Sequence, residues 1–191
     1  QVIASRIRQN AGMQALLSIS RVIDAINHRL SWIADWLVFL SCMVSAGNAF
    51  SRYAFSMSSN AWLEIQWYMF GAVVMLGASY TLKKNEHVRV DIVYSNLGTR
   101  SQIVIDIVGA VLFLLPATLI LAYLSWPIFY NSWAMNEGSS NAGGLIRWPI
   151  KIFLPIGFAL LSLQGISELI KRVAMLTGHM PPDLHYERPL Q

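Results

Sequence analysis

Long runs without charge dominate the chain. Apolar residues fill about Ser31–Phe55, Ala61–Leu82, Ile103–Tyr130 and Ile152–Ile170. Each run is roughly 19 residues or more, enough to cross a ~30 Å hydrocarbon core at ~1.5 Å of rise per helical residue. Their acids are Asp35, Glu64, Asp106 and Glu168, and each falls within about two turns of a predicted helix end. The pattern predicts an all-α integral membrane protein with four transmembrane helices. It also predicts a middle depth without carboxylate, histidine, lysine or arginine. An ionisable group inside the membrane marks a proton relay, an ion path or a charged-substrate site. Its absence points to a membrane chain that does not carry such chemistry itself.

The stretch before the first run has a different period. From about Gly12 to Leu30, Leu16, Ile19, Val22, Ile23, Ile26 and Leu30 share one helical face, while Gln14, Ser18, Arg21, Asp24 and His28 share the other. This segment is too polar to span. It predicts an amphipathic interfacial helix over 12–30, with Arg21 and Arg29 near anionic headgroups. Packing on a soluble partner is the alternative. Residues 1–11 are polar, and no cleavable signal is read, since the first apolar run is too long for one. The chain opens on Gln1 instead of Met, so its true start is expected to be trimmed or missing.

Composition agrees with one membrane unit over residues 1–191. Charged residues make up 13% of the chain, against about 25% for a soluble domain. Mean hydropathy is +0.47. The net charge of +4 matters less than its distribution. Arg6, Arg8, Arg21 and Arg29 precede the first run; Lys83, Lys84, Arg89 and Arg100 lie between the second and third; Lys171, Arg172 and Arg188 follow the fourth. Only Arg52, Arg147 and Lys151 lie on the other side, eleven against three. The positive-inside rule then puts both termini and the middle loop in the cytoplasm. The basic residues are scattered without grouped aromatics, so no nucleic-acid partner is implied. The single cysteine, Cys42, excludes a disulfide within the chain and reads as a small packing residue.

Within the runs, small residues suggest where helices meet. Ser41, Ser45 and Ala49 form a four-residue-spaced stripe with Asn48 beside it, suited to close helix approach or to lipid exposure. Gly71 and Gly77 are further close-packing points. The connection around Ser56–Asn60 is short, which makes the first two helices a hairpin. Arg52 and Glu64 flank this turn, where they either pair or reach water separately. The third run is 28 residues, about 42 Å if fully helical, so it must tilt or project. Pro116 should loosen it. Trp126, Phe129, Tyr130 and Trp133, with Trp62 and Trp148, suggest an outer aromatic belt. The loop Asn131–Arg147 holds Glu137-Gly-Ser-Ser-Asn-Ala-Gly-Gly144 and reads as flexible and polar.

Chemistry-bearing motifs are few. His28, His87, His179 and His185 fall in interfacial or tail segments, which disfavours a membrane haem. HExxH, P-loop and GxSxG patterns are missing, and metal-ligating types do not cluster. No cofactor is implied and the chain does not read as an enzyme. No convincing inverted repeat relates the two halves. A stand-alone, proton-coupled exporter of the small multidrug resistance type would share the helix count. It would need an intramembrane carboxylate, however, and Glu64 lies only about one turn inside its run.

Residues Trp62–Gly98 carry a resemblance. Leu63-Glu64-Ile65-Gln66-Trp67-Tyr68-Met69-Phe70, then Gly71 to Gly77-Ala78, then Asn85-Glu86-His87-Val88-Arg89-Val90-Asp91 resembles the small membrane subunit of tripartite ATP-independent periplasmic (TRAP) transporters. The resemblance is sharpest over Arg52–Asp91, and the helix layout extends it over Gly12–Leu176. It implies a three-part importer of the bacterial inner membrane. A periplasmic binding protein captures an organic acid, and a large membrane subunit moves it by an elevator motion coupled to a cation. The small subunit is a static scaffold beside the large one. On this reading Ser41, Ser45, Asn48, Ala49, Gly71, Gly77, Arg89 and Asp91 are expected at the large-subunit interface. Arg52, Glu64, Glu137 and Arg147 are expected where the binding protein docks. Arg21, Arg29, Trp32, Trp62, Trp126, Trp133 and Trp148 are expected among membrane lipids. A non-transport membrane scaffold or assembly factor is the remaining alternative.

Overall fold

No proline and only two glycines, Gly12 and Gly47, interrupt the sequence from Gly12 to Phe55. An interior glycine costs only about 1 kcal/mol, so little opposes one uninterrupted helix. A computed structural model describes residues 2–57, 59–85, 94 and 97–181, with side chains from Gly12 onward. In it α1 runs unbroken over Val2–Phe55, 54 residues or about 81 Å. The expected boundary between an interfacial helix at 12–30 and a spanning helix at 31–55 is therefore missing. A helix lying flat in the interface has to break before it can dive, and nothing in this sequence breaks it.

Helix α2 covers Asn60–Lys84. The Ser59 hydroxyl accepts from Ala61 N at 3.3 Å and opens the helix. Asn85, in the left-handed region at φ 58°, closes it by donating its amide to the Leu82 carbonyl. Helix α3 (Thr99–Gly109) passes through one π turn (Ala110–Leu114) into α4 (Leu115–Ala134). Pro116 explains the widened turn. It lacks an amide hydrogen, so the ladder slips by one residue and Leu115 N–H reaches back to Ala110 O. Short α5 (Trp148–Lys151) leads into α6 (Phe153–Leu176). Among the described residues, four stretches are long and apolar enough to cross a membrane: Gly12–Phe55, Asn60–Lys84, Thr99–Ala134 and Trp148–Leu176. The fold is thus all-helical, with four candidate spans.

The packing is inverted relative to a soluble bundle. Buried positions on α1 recur as Ser20, Asn27, Ala34 and Asn48, seven residues apart or a multiple of seven, with Ser31 beside them. This seam packs α1 against α2 and α6. Heptad spacing is the geometry of helices that wind around one another with a left-handed twist. The buried residues are small or polar, while Leu16, Ile19, Val22 and Ile26 point outward. Of the polar face read for 12–30, Asp24 turns toward this seam, while Gln14, Ser18, Arg21 and His28 stay exposed. Hydrocarbon gives helices no hydrophobic reason to associate, so small residues and hydrogen bonds hold them together instead. The closest approach is at Gly157 of α6, where a Cβ would lie 2.7 Å from Met75 Cβ and 3.0 Å from Met75 O. Gly71 meets only the flexible end of Ile150, and Gly77 faces open space.

The unbroken α1 also moves Asp35 and Trp32 away from any helix end. Lys83 Nζ donates to Asp24 O at 3.2 Å, and Ser79 Oγ donates to Asn27 Oδ1 at 3.1 Å. These contacts set α1 antiparallel to α2. Eight residues past Asn27, about 12 Å further along the axis, Asp35 is level with Gly71, near the midpoint of α2. The expectation that Asp35 falls within about two turns of a helix end does not hold.

Candidate functional site

At the end of the bundle where α1 turns into α2, Glu64 organises the loop between α4 and α5. It projects from the first turns of α2 and is only 6% exposed. Its Oε1 accepts from the Ser139 hydroxyl and from Asn141 Nδ2 at 2.8 Å; Oε2 accepts from Leu145 N at 2.6 Å. Three donors from one loop thus converge on one carboxylate, and charge-assisted bonds of this kind are the stronger class. Asn60 Nδ2 adds a bond to Ala142 O at 2.9 Å, and Tyr68 Oη one to Ile146 O at 3.3 Å. The loop closes on itself as well. Gly138 and Ile146 form an antiparallel bridge, flanked by Arg147 N to Glu137 O at 2.8 Å and Ser139 N to Leu145 O at 3.0 Å.

Two glycines make this shape possible. Gly143 adopts φ +69°, a conformation that other residues enter only with strain. At Gly144 a Cβ would stand 2.8 Å from Glu64 Oε1 and closer still to Ser139. The segment expected to be flexible is therefore a built loop. Glycine and asparagine signal a turn, but they do not reveal that a carboxylate about 75 residues earlier satisfies it. The expected Arg52–Glu64 pair does not form. Arg52 is exposed, and the loop occupies both oxygens of Glu64.

Glu137 anchors the other end of the loop. It pairs with Lys151, and Arg147 Nη1 lies 3.9 Å from its second oxygen. Lys151 beside it holds the Glu137 carboxyl below the usual carboxylate range. Arg147 also donates to Ser140 Oγ at 3.3 Å. Arg52, Glu137 and Arg147 thus offer charge at this end of the bundle, whereas Glu64 shapes the loop from beneath.

Toward the opposite end of the bundle, a second polar group joins three helices. Gln164, Asn27, Ser79 and Ser167 are 0% exposed and Ser20 is 2% exposed. Asn27 Nδ2 donates to Gln164 Oε1 at 2.6 Å, and Gln164 Nε2 donates to Asp24 Oδ1 at 3.0 Å and to Glu168 Oε1 at 2.9 Å. Lys171 lies 2.8 Å from Asp24 Oδ2 and 2.7 Å from Glu168 Oε1. Ser167 Oγ donates to Asp24 Oδ1 at 2.9 Å and is 2.7 Å from Ser20 Oγ. Beside this group Arg172 Nε is 3.3 Å from Asp106 Oδ2, tying α6 to α3. The sequence carried a signal for these contacts. Ser20, Asp24, Asn27 and Ser31 form one polar stripe, and Gln164, Ser167, Glu168 and Lys171 form another. Two such stripes in a hydrophobic chain satisfy each other most cheaply. A cavity of about 770 Å³ opens beside the cluster, with Arg21, Lys83 and Lys84 on its walls.

The remaining expected residues divide by exposure. Ser45 and Ala49 are exposed, but Ser41 is half-buried and Asn48 is 7% exposed, both turned toward the chain's own bundle. Trp32, Trp62, Trp126 and Trp133 are exposed, and Trp148 is half-buried. Arg21 and Arg29 are exposed on α1. Arg89 and Asp91 lie outside the described residues, as do Glu86 and His87. Among the described residues, no three His, Cys, Asp or Glu side chains gather as a metal site.

The polar groups inside this bundle bond to one another, which leaves a wide apolar exterior for lipid or partner helices. Comparison with known proteins is consistent with that division. Neither the curated proteins nor the solved structures give a match. One protein family does, the DctQ component of tripartite ATP-independent periplasmic transporters, over residues 41–175. With well over half its length matched, the chain belongs to the family of DctQ components of TRAP transporters.

Proposed function

We propose that the chain is the small scaffold subunit of a TRAP-type importer. It supports the large elevator subunit and helps dock the periplasmic binding protein during cation-driven uptake of an organic acid. The observation that carries this reading is how the chain uses its polar side chains. Asp24, Asn27, Ser79, Gln164, Glu168 and Lys171 are spent on bonds between its own helices. A stand-alone exporter would need comparable groups left open to a solute. The outward surface is instead rich in large apolar side chains, such as Phe50, Tyr53, Phe113 and Tyr123. Such a surface adds fixed area beside a moving partner.

The inner end faces the cytoplasm on this reading, with Arg21, Arg29, Lys83 and Lys84 among anionic headgroups. The built outer loop then faces the periplasm. Its order supports docking, because a rigid loop has less conformational entropy to lose on binding. Reconstitution tests the whole reading. Vesicles holding the large subunit and a cation gradient, with binding protein outside, should take up solute only when this chain is present. Equal uptake without it would refute the scaffold role. For docking, charge reversal at Arg52, Glu137 and Arg147 should weaken binding-protein affinity. If affinity and uptake survive all three, the docking surface lies elsewhere.

A further inference from the structure

We propose that Asp35 marks the face of α1 that the large subunit covers, and that a cationic side chain on a spanning helix of that subunit pairs with it. This inference rests on the scaffold reading above. Asp35 is exposed, and among the described residues it has no hydrogen bond or ion pair. By its register with α2 it lies near mid-span, level with Gly71. Around it on α1 stand Trp32, Trp36 and Phe39, all exposed and large. The nearer end of α1, Phe55, is 20 residues away, about 30 Å, out of reach of this short side chain. A carboxylate facing hydrocarbon at such depth is costly, and in membrane proteins such groups meet a partner or line a wet path.

The neighbouring positions fit a helix as that partner. Continuing along the same face of α1 come Cys42, Ala46 and Ala49, at offsets of seven, four and three residues, and all are exposed. These are small side chains among large ones, so a second helix could come close there. The strip runs beside the internal seam, not on it. The seam uses Ala34, Ser41 and Asn48 against the chain's own α2 and α6. Helix α1 therefore has two packing faces, one for its own bundle and one left uncovered. The charge decides the occupant's chemistry. Lipid tails cannot satisfy a carboxylate, and a second copy of this chain would bring another Asp35 on the same face. A helix bearing lysine or arginine satisfies both the charge and the groove.

The test is co-purification with a tagged large subunit in mild detergent, across variants of the full chain. Asp35→Leu makes the helix more apolar, so insertion of the chain should be as good as before or better. Recovery of the complex should nevertheless fall roughly tenfold or more, because the partner's cation is left buried and alone. Asp35→Asn should also fall, while Asp35→Glu should retain most of it. Ala46→Trp should block the strip, while Leu119→Trp, on the outward face of α4, should leave recovery intact. Wild-type recovery for Asp35→Leu or Asp35→Asn would overturn the ion pair. Loss of self-association without loss of the large subunit would assign the strip to a second copy and overturn the proposal. If the wild-type chain itself fails to bring down the large subunit, the scaffold reading fails and this inference with it.

Discussion

Replacing Gln164 by leucine tests whether hydrogen bonds, and not apolar packing, hold the three-helix seam. The two side chains have similar volume, so little cavity or overpacking is introduced. Three bonds disappear, from Asn27 Nδ2 at 2.6 Å and to Asp24 Oδ1 at 3.0 Å and Glu168 Oε1 at 2.9 Å. The carboxylates keep other partners, since Asp24 retains Ser167 and Lys171 and Glu168 retains Lys171. Each of those two losses is worth about 0.6 kcal/mol, the average for bonds between membrane helices. Asn27 fares worse, because it is 0% exposed and its amide hydrogens lose this acceptor. An unsatisfied buried donor costs about 1–3 kcal/mol. The sum is about 2–4 kcal/mol. Unfolding in mixed micelles, followed by tryptophan fluorescence against a denaturing detergent, would measure it. Leu163→Ala is the control, since that side chain is 45% exposed and micelle tails replace its contacts. The double variant Asn27→Leu with Gln164→Leu removes both ends of one bond. It should cost less than the two single changes added, by about 1–2 kcal/mol. Strict additivity, or single effects below about 0.5 kcal/mol, would refute the polar-seam account.

Two further outcomes concern the loop between α4 and α5. Gly144→Ala should force Ser139 off Glu64 and open the loop, at a cost of about 1–3 kcal/mol; limited trypsin digestion should then cut after Arg147 much faster than in the parent chain, and an unchanged rate would count against the clasp. Acid should loosen the same loop. Lys151 lowers the Glu137 pKa in the folded chain, so the pairing contributes stability above the ordinary value of 4.5 and loses it as pH falls through the lower folded value. Digestion by an acid protease should accelerate across that window, and Glu137→Gln should be cut faster than the parent chain above it and accelerate less through it, the remainder coming from the Glu64 carboxylate that holds the same loop.

Much of this protein was legible in its sequence. Four runs long enough to span, and too apolar to do otherwise, predicted an all-helical membrane chain, and helices are what a chain can form where water cannot satisfy its backbone. The short connection near Ser59 predicted the hairpin of α1 and α2. The residues from Leu63 to Asp91 were enough to suggest the family. These features are local, set by composition and period within one segment.

Tertiary structure decided which way each helix faces and what its polar residues are for. Periodicity placed Asp24 opposite the apolar face of α1, but it could not say that this polar side would find Gln164 and Lys171 on the last helix. The usual rule sends polar faces to water, and it inverts where the outside is hydrocarbon. The partners of Glu64 lie about 75 residues away, beyond the reach of any local pattern, so the loop read as free until the fold brought Ser139, Asn141 and Leu145 onto it. The place of Asp35 along the bundle was also invisible in the sequence. It depended on whether α1 breaks near Leu30, and only the register against α2 placed that carboxylate level with the middle of that helix.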